Sequence, residues 1–568
     1  MSSETKGAVG SEKSVNFDAE NDGSDDSVDL NSFSSDSDAW DNAEVSEFDE
    51  QKAVRSIANL ICYDEFPPQI VESVHFRGIL EFLNPQFKPS FDSVGSECMK
   101  VYEERKVETE KCLRNFDGRF SLSLDILRHQ SGSYYTFRCS DYFCLSAHFI
   151  DENWKLKKWV LSFRCLWRSG QSDDYIPEGD DLGIFRLLED WGIENKISTL
   201  TRNNEGCDDP LVEFVKSHIQ DKKELQLNGQ LFRVHCCGDM IKTMVEDAFE
   251  TIEDIIDKVR KLYSFGRSLP LWYLTTFKLK GALELWTMGE FSSQDVIDDY
   301  DVPSPEEWKK VEGVCKIVDK MYEVSNALFE TKHLTANVYL YHLDELREIL
   351  TQFSTDYDDF VRTIAKDMWN KLNKYWDDMF LLLAISAALD PRFKMKYIEF
   401  VCSKVKGMDG CSQVAAVLSA INKLFDEYVI GFPEKGNFTC QSSSSDSDSE
   451  GESPTAGRVN YTFSVVQDYQ QFLQMSDQPA KKSDLHCYLE DPVLPWSQDF
   501  YALTWWSTAG AKYPILSRMA RDFLAIPVSV ASSFKAFYTE PRPADGRIVC
   551  LKPELMNALV CTRSWYSE

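Results

Sequence analysis

The first clear pattern of apolar and polar positions along the chain has a period of two. In FSLSLDIL, residues 120–127, apolar side chains alternate with Ser121, Ser123 and Asp125. Such alternation is typical of a strand with one buried face. Two further strand-like runs, 134–151 and 154–167, follow after short turns. The pattern predicts an antiparallel meander in which Asp125 lies on the solvent side of its strand.

The period then changes, and helical and extended runs alternate. GIFRLLEDWGI and DPLVEFVKSHI have the helical period, whereas KISTLTRN and FRVHCC are strand-like. The stretch 239–263 predicts one long amphipathic helix. The predicted order is therefore β-β-β-α-β-α-β-α, which indicates a mixed sheet with helices on its faces.

Two later regions are predominantly helical. The 3.6-residue period dominates 269–428 and returns in 484–568. One helix of the second region has clear ends, because Pro514 suits a first helical position and Pro527 prevents continuation. Its predicted apolar stripe contains Leu516, Met519, Ala520, Phe523 and Leu524.

Acidic, serine-rich sequence interrupts these patterns at two places. Residues 1–50 contain 15 acidic and two basic residues, and QSSSSDSDSEGESPTAG occupies 441–457. Both segments have too few apolar residues to fold alone, so we expect disorder. Serines beside Asp and Glu also suit phosphorylation, although inert spacers have the same composition.

Charge and composition exclude several classes of protein. Lys and Arg total 61 against 93 Asp and Glu, a net charge of −32, which opposes coating of nucleic acid or anionic membrane. The start of the chain lacks a signal-peptide pattern, and the longest apolar run is too short to span a bilayer. The 16 cysteines show no C-x-x-C spacing and are expected to be reduced, mostly buried thiols.

Motifs spread over 119–565 resemble the hAT superfamily of DNA transposases, in particular its domesticated plant members of the RICESLEEPER type. They are YFCLSAHFIDENWKLKKWVLSF, ALDPRFKMKYIEF, LHCYLEDPVLPW, FYALTWWSTAGAKYPILSRMARDFLAIPVSVAS and ALVCTRSW. The resemblance implies an α+β fold: an RNase H-like mixed sheet with a large helical insertion and a helical C-terminal hAT dimerisation region.

Pattern and resemblance together predict six segments. They are a disordered acidic tail (1–52), a helical N-terminal segment (53–115), the first part of an RNase H-like core (116–265), a helical insertion domain that continues the hAT-like RNase H region (266–435), a disordered acidic Ser-rich loop (436–460) and the hAT C-terminal dimerisation region (461–568).

The resemblance also implies a catalytic site, in which two Asp and one Glu hold two divalent cations for strand transfer. By motif, the first Asp corresponds to Asp125, but the second position holds Asn203 and the third Phe534. Cys236 remains from a C-x-x-H element, with Asp239 in place of its His. One remaining carboxylate cannot compensate two cations, so we expect no catalysis, no metal and no cofactor.

A BED-type zinc finger usually precedes this region in the family, and here the acidic tail takes its place. We therefore expect only weak DNA contact and a nuclear protein that forms a homodimer or a heterodimer with related hAT-like proteins, without a membrane or small-molecule partner. The resemblance places dimerisation on eight C-terminal residues: Tyr488, Leu489, Trp496, Trp505, Trp506, Tyr513, Pro514 and Leu516.

Two alternatives stay open at this point. An active metal-dependent transposase or nuclease would need substitute carboxylates such as Asp208, Asp209, Asp239 or Glu540. A purely structural protein would use its acidic tails to capture basic partners. Isolated polar residues have simpler interpretations: His148 as a structural histidine, and Lys394 with Lys396 as a solvated surface patch.

Overall fold

The computed structural model describes residues 48–64, 66–128, 141–166, 182–202, 210–262, 272–291, 301–329, 335–404, 409–431, 483–497, 499–530 and 546–566. Val54–Glu568 forms one compact unit. The predicted acidic tail up to residue 47 and the acidic loop 436–460 lie outside the described residues. So do Asn203, Asp208, Asp209, Phe534 and Glu540.

A five-stranded mixed sheet occupies the first half of the unit. Its strands are β1 (Phe120–Arg128), β2 (Asp141–Ile150), β3 (Leu156–Leu166), β4 (Ile197–Arg202) and β5 (Arg233–His235). They lie in the order β3-β2-β1-β4-β5, in which β1, β2 and β3 are antiparallel while β4 is parallel to both β1 and β5. The predicted meander is confirmed.

Helices precede, separate and follow the strands. Before and between them lie α1 (Glu50–Tyr63), α2 (Val74–Leu83), α3 (Phe91–Asn115), α4 (Ile184–Trp191) and α5 (Pro210–Lys222). After β5 come α6 (Cys237–Glu250), α7 (Glu253–Leu262), α8 (Trp272–Thr287), α9 (Pro305–Phe329), α10 (Tyr339–Phe353), α11 (Asp359–Ala388), α12 (Lys394–Ser403) and α13 (Asp409–Ile430). The C-terminal part contains α14 (Asp484–Glu490), α15 (Ala502–Ala509), α16 (Pro514–Leu524), α17 (Gly546–Val549) and α18 (Pro553–Tyr566).

The predicted long helix over 239–263 is two helices. Helix α6 ends at Glu250 and α7 begins at Glu253. At the break, the Thr251 hydroxyl donates to the Ala248 carbonyl at 2.6 Å, a local bond that competes with helical continuation. The turn keeps Ile252, Ile255 and Ile256 in the helical core.

Two apolar cores lie against the sheet. The first contains Leu122, Leu124 and Leu145 of the meander together with residues of α4 and α5. The second is mostly helical and runs from α6 to α16, so the helical middle region and the C-terminal block share one continuous core. None of the described helices has both the length and the apolar content needed to cross a membrane.

Helix α18 covers the outer edge of β3. Ser564 Oγ accepts from the Val160 amide at 2.8 Å, and Trp565 Nε1 donates to the Val160 carbonyl at 3.0 Å. Asn557 Oδ1 accepts from the Phe163 amide at 2.8 Å. Side chains thus occupy backbone groups that an edge strand would otherwise present to another chain.

Candidate functional site

The carboxyl ends of β1 and β4 lie next to each other at one edge of the sheet. The two strands are parallel, with Leu124 opposite Arg202. Asp125 therefore lies at the edge of the sheet where β4 also ends. Because Asn203 is outside the described residues, the structure gives its place in the chain but not its surroundings.

Residues 527–530, which precede Phe534 in the sequence, contact β4 and the end of β5. Thr201 Oγ1 donates to the Pro527 carbonyl at 2.7 Å, and the Cys237 amide donates to the Val528 carbonyl at 2.8 Å. The Val530 amide donates to Cys236 Sγ at 3.3 Å. Residues 527–530 thus lie beside β4 and the end of β5, so Cys236 has a structural role there.

The face of the sheet that carries Asp125 is covered, which corrects the prediction of a solvent face. Ser121 and Ser123 on that face are buried, and Asp125 is half-buried. The reason is tertiary: α16 packs on β2, and α18 packs on β3. Opposite Asp125 lies Cys144, whose pKa is raised to about 11, mainly by burial.

His148 is a buried structural histidine, as predicted. Its Nε2 lies 2.8 Å from Ser123 Oγ on the neighbouring strand. Burial, with a smaller effect from Lys158, holds the pKa of His148 well below its usual range. The imidazole is therefore neutral at physiological pH and serves as a hydrogen-bonding partner between β1 and β2.

The donor set near Asp125 does not form a metal site in the part of the chain that is described. No three His, Cys, Asp or Glu side chains there are close enough together to hold a metal ion. Asp239, which the sequence offered as a substitute ligand, lies in the first turn of α6. The loss of the two-cation site stays a prediction, because Asn203, Phe534 and the other candidate carboxylates lie outside the described residues.

A second polar site lies in the turn after α11, at the LDPRFK motif. Asp390 and Arg392 form a buried ion pair, with Nη2 2.7 Å from Oδ2. Asn337 Nδ2 also donates to Asp390 Oδ2 at 2.6 Å. The Arg392 guanidinium lies over the rings of Trp496 and Phe500, at 4.8 and 4.5 Å from their centroids. This pair joins the helical middle region to the C-terminal block.

Backbone carbonyls at the same turn bind two aromatic residues of the C-terminal block. Tyr488 Oη donates to the Ala388 carbonyl at 3.1 Å, and Trp506 Nε1 donates to the Leu389 carbonyl at 2.9 Å. These are carbonyls at the end of α11, which an ordinary helix leaves without an intrahelical partner. The aromatic block therefore serves as a C-terminal cap for the longest described helix.

Lys394 is buried, so the prediction of a solvated patch was wrong for this residue. Its backbone lies in the left-handed region, with φ +47°. From there Nζ donates to the carbonyls of Tyr488 and Asp491, the latter at 2.8 Å. Burial lowers the pKa of the Lys394 ammonium. Lys396, in contrast, is exposed and pairs with Glu399.

The eight residues predicted for dimerisation fall into two groups. Tyr488, Trp506, Tyr513 and Leu516 are at most 1% exposed and belong to the helical core of their own chain. Leu489, Trp505 and Pro514 are half-buried, while Trp496 is 53% exposed. The buried group attaches the block to the chain, and the assignment of these residues to an intermolecular contact stays a prediction.

Asp522 forms a buried junction that the sequence analysis missed. Its Oδ1 accepts from the Arg119 amide at 3.0 Å, and its Oδ2 accepts from Tyr428 Oη. Burial raises the pKa of Asp522. A detectable signal existed, because Asp522 lies three positions after Met519, on the apolar stripe of α16. The residue connects α16, α13 and the start of β1.

Three models of known protein families match parts of this chain. Residues 337–428 match the hAT-like transposase, RNase-H fold; residues 484–566 match the hAT family C-terminal dimerisation region; and residues 133–231 match the ZBED1 RNase-like domain. The chain carries hAT transposase-like domains. The five-stranded mixed sheet and the helical middle region thus belong to an RNase H-like fold, and the aromatic block lies in the hAT dimerisation region.

Relatives align along most of the chain. The zinc finger BED domain-containing protein RICESLEEPER 2 of Oryza sativa subsp. japonica is 28% identical, over 91% of this chain and 75% of the relative. The protein DAYSLEEPER of Arabidopsis thaliana, also named as zinc finger BED domain-containing, is 29% identical over 92% and 74%. A putative AC transposase of Zea mays is 26% identical over 91% and 65%. The chain is thus homologous to hAT transposase-like proteins.

Proposed function

We propose that this chain is a domesticated, catalytically inactive hAT transposase-like protein that acts in the nucleus by protein dimerisation. The observation that carries the proposal is which side chains of the hAT dimerisation region are buried and which are exposed. Buried aromatic residues hold the region onto its own chain, while other apolar side chains of the same region remain exposed. A stable scaffold with exposed aromatic side chains suits protein binding.

The proposed contact residues are Val493, Trp496 and Tyr501, which are 39%, 53% and 51% exposed. Trp496 is supported from below by Tyr341, at 4.9 Å between ring centroids, and by Arg392. An aromatic side chain that is fixed by its neighbours loses little conformational entropy when it binds. The proposed partner is a second copy or a related hAT-like protein.

The loss of catalysis follows from the residue types at the aligned positions. Phenylalanine has no atom that ligates a hard cation, and asparagine at position 203 removes a negative charge from the site. Asp125 alone would have to balance two divalent cations. A transition state without that electrostatic stabilisation is not reached at a useful rate.

Nuclear location and weak DNA or chromatin association form the remaining part of the proposal. They come from the relatives, several of which are named as zinc finger BED domain-containing proteins. The net charge of −32 works against strong binding to a polyanion. Contact with DNA would therefore be local and strongly dependent on salt.

Light scattering after size-exclusion chromatography tests the dimer. We expect twice the chain mass for the unaltered protein and the mass of one chain for the double variant Trp496→Ala, Tyr501→Ser. Tyr357→Ser is the matched control, because Tyr357 is fully exposed and lies outside the dimerisation region. A single-chain mass for the unaltered protein at micromolar concentration would reject dimerisation.

Incubation with linear duplex DNA and either Mg²⁺ or Mn²⁺ tests the absence of catalysis. We expect no strand cleavage. Cleavage that vanishes in Asp125→Ala would establish an active nuclease and contradict the proposal. Capture from nuclear extract with and without nuclease treatment then separates direct protein partners from those bridged by DNA.

A further inference from the structure

A cleft of about 770 Å³ opens at the start of β1, between that strand, the end of α13 and helix α16. Charged side chains line it: Arg119, Lys196, Arg518 and Arg521 with Asp117, Glu152, Glu427 and Asp522. The cleft has no part in the proposed dimer face, and its chemistry depends on which of these charges are already engaged.

Three of the four carboxylates in the cleft are already engaged by other groups of the protein. Asp522 accepts from the Arg119 amide and from Tyr428 Oη. Asp117 pairs with Arg518 at 2.8 Å. Glu427 Oε1 accepts from the Leu227 amide at 3.4 Å, and burial raises the pKa of Glu427. The negative charge available to a ligand is therefore smaller than the residue count indicates.

Two guanidinium groups retain donor capacity. Arg119 Nε is 3.9 Å from Asp522 Oδ2, too far for a hydrogen bond, and its guanidinium lies over the Tyr428 ring. Arg521 lies 4.8 Å from the centroid of the Trp154 ring. Its Nε is buried and has no hydrogen-bond acceptor among the described residues. Burial lowers the pKa of Arg521, and the nearby carboxylates of Glu152, Asp151 and Asp522 offset part of this effect.

The chain itself carries an acidic sequence ten residues after a residue that lines the cleft. Gly431 lines the cleft, and the sequence continues from it to QSSSSDSDSE at 441–450. Ten extended residues span up to roughly 33 Å, enough to return to Arg119 or Arg521. A net charge of −32 opposes a polyanion that arrives from solution. A tethered segment avoids much of that cost, because its effective concentration is on the order of millimolar.

We propose that the cleft is a phosphate-binding site whose ligand is a phosphoserine of the acidic segment 441–450 of the same chain, bound by Arg119 and Arg521. A protein kinase would transfer the γ-phosphoryl group of ATP to a serine Oγ and release ADP and a proton. The new phosphate monoester carries nearly two negative charges and three acceptor oxygens. Arginine binds such a group through two parallel N–H donors, which suits a cleft with two such side chains.

Binding of a synthetic peptide to the full chain tests the site. The probe spans 439–453 with phosphate on Ser447 and Ser449, and the same peptide without phosphate is its control. We expect the phosphopeptide to bind at least about tenfold more tightly, and inorganic phosphate to compete with it. Equal affinity of the two peptides would overturn the proposal.

Variants assign the binding to the cleft. Arg521→Gln and Arg119→Gln should each weaken phosphopeptide binding about tenfold or more, whereas Arg521→Lys should retain part of it. Arg362→Gln, in the first turn of α11 and outside the lining of the cleft, is the matched control and should change nothing. Circular dichroism verifies that each variant is folded. Unchanged affinity in both glutamine variants, or an equal loss in the control, would reject the site.

Two further experiments test whether the phosphate comes from the chain's own segment or from a nucleic acid. Phosphorylation of the chain's own segment should reduce the apparent affinity for the added peptide at least about tenfold, and Ser447→Ala with Ser449→Ala should prevent this. If no such competition occurs, the segment is not the ligand. If duplex DNA binds more tightly than the phosphopeptide and depends on Arg521, the cleft is a nucleic-acid site instead and the proposal is wrong.

Discussion

The carboxylate of Asp390 and the guanidinium of Arg392 form an ion pair from which solvent is almost completely excluded, with 0% and 4% of their side chains exposed. Both residues belong to one tight turn, yet the contacts of Arg392 extend to Ser497, Trp496 and Phe500 in the C-terminal block. The pair therefore connects two regions that are about a hundred residues apart in the sequence.

Removal of one partner from this pair should strongly destabilise the fold. Asp390→Asn leaves the Arg392 cation buried without its counter-charge, so we expect the free energy of unfolding to fall by about 3–5 kcal/mol. Urea unfolding measures the change. Glu399→Gln removes an exposed pair with Lys396 and should cost about 0.5 kcal/mol or less. Equal effects of the two variants would contradict this account.

The hydrogen bond of Trp506 gives a second prediction. Trp506→Phe keeps an aromatic ring but leaves the Leu389 carbonyl at the end of α11 without its donor. We expect a loss of about 1–3 kcal/mol in unfolding free energy. The same change at half-buried Trp505 should cost less. A larger loss at Trp505 would show that the cap on α11 is unimportant for stability.

Lys223 should make stability depend on alkaline pH. Burial lowers its pKa from 10.5 to about 8. Between these values the unfolded chain binds more protons than the folded one, so the free energy of unfolding should rise with pH. The contribution is fully present above pH 10.5 and is lost as the pH falls through about 8.

Denaturant unfolding between pH 7 and 11 measures this slope. Lys223→Met should flatten it, whereas Lys222→Met should not, since Lys222 is an exposed neighbour that pairs with Glu189. The difference between the two variants removes the background from other groups that titrate in this range. An identical slope in both variants would reject the assignment to Lys223.

The contacts of α18 with β3 predict a link between stability and aggregation. Ser564→Ala and Asn557→Ala each leave a strand amide without its acceptor, so each should cost about 1–3 kcal/mol. The double variant exposes the edge of β3 and should aggregate at elevated temperature. Turbidity during heating measures this. Ser507→Ala, on an exposed position of α15, should behave like the unaltered protein.

The regular elements could be predicted because their signals are local. Alternation in FSLSLDIL gave the first strand, and Pro514 and Pro527 marked the helix between them, which the structure has at Pro514–Leu524. The break after Glu250 could not be seen, because both of its sides continue the same apolar period. The position of Asp125 was misjudged for a different reason: alternation identifies two faces but not what covers the second.

Lys394 and Asp522 show that a local sequence pattern also fails to predict the burial of charged residues. A lysine in PRFKMK and an aspartate in SRMARDFL have the composition of a surface, and their burial depends on distant partners. The Tyr488 and Asp491 carbonyls compensate the first, and the Arg119 amide and Tyr428 hydroxyl compensate the second. Burial of a charge is tolerable only where such partners converge.

The sequence by itself determined the order of strands and helices and the motifs that resemble hAT transposases, because periodicity and residue type act over short distances. Only the tertiary structure decided that half of the predicted dimerisation residues lie in the chain's own core and that the LDPRFK turn attaches the aromatic block. Those outcomes depend on contacts between segments about a hundred residues apart, whose free energies no local pattern records.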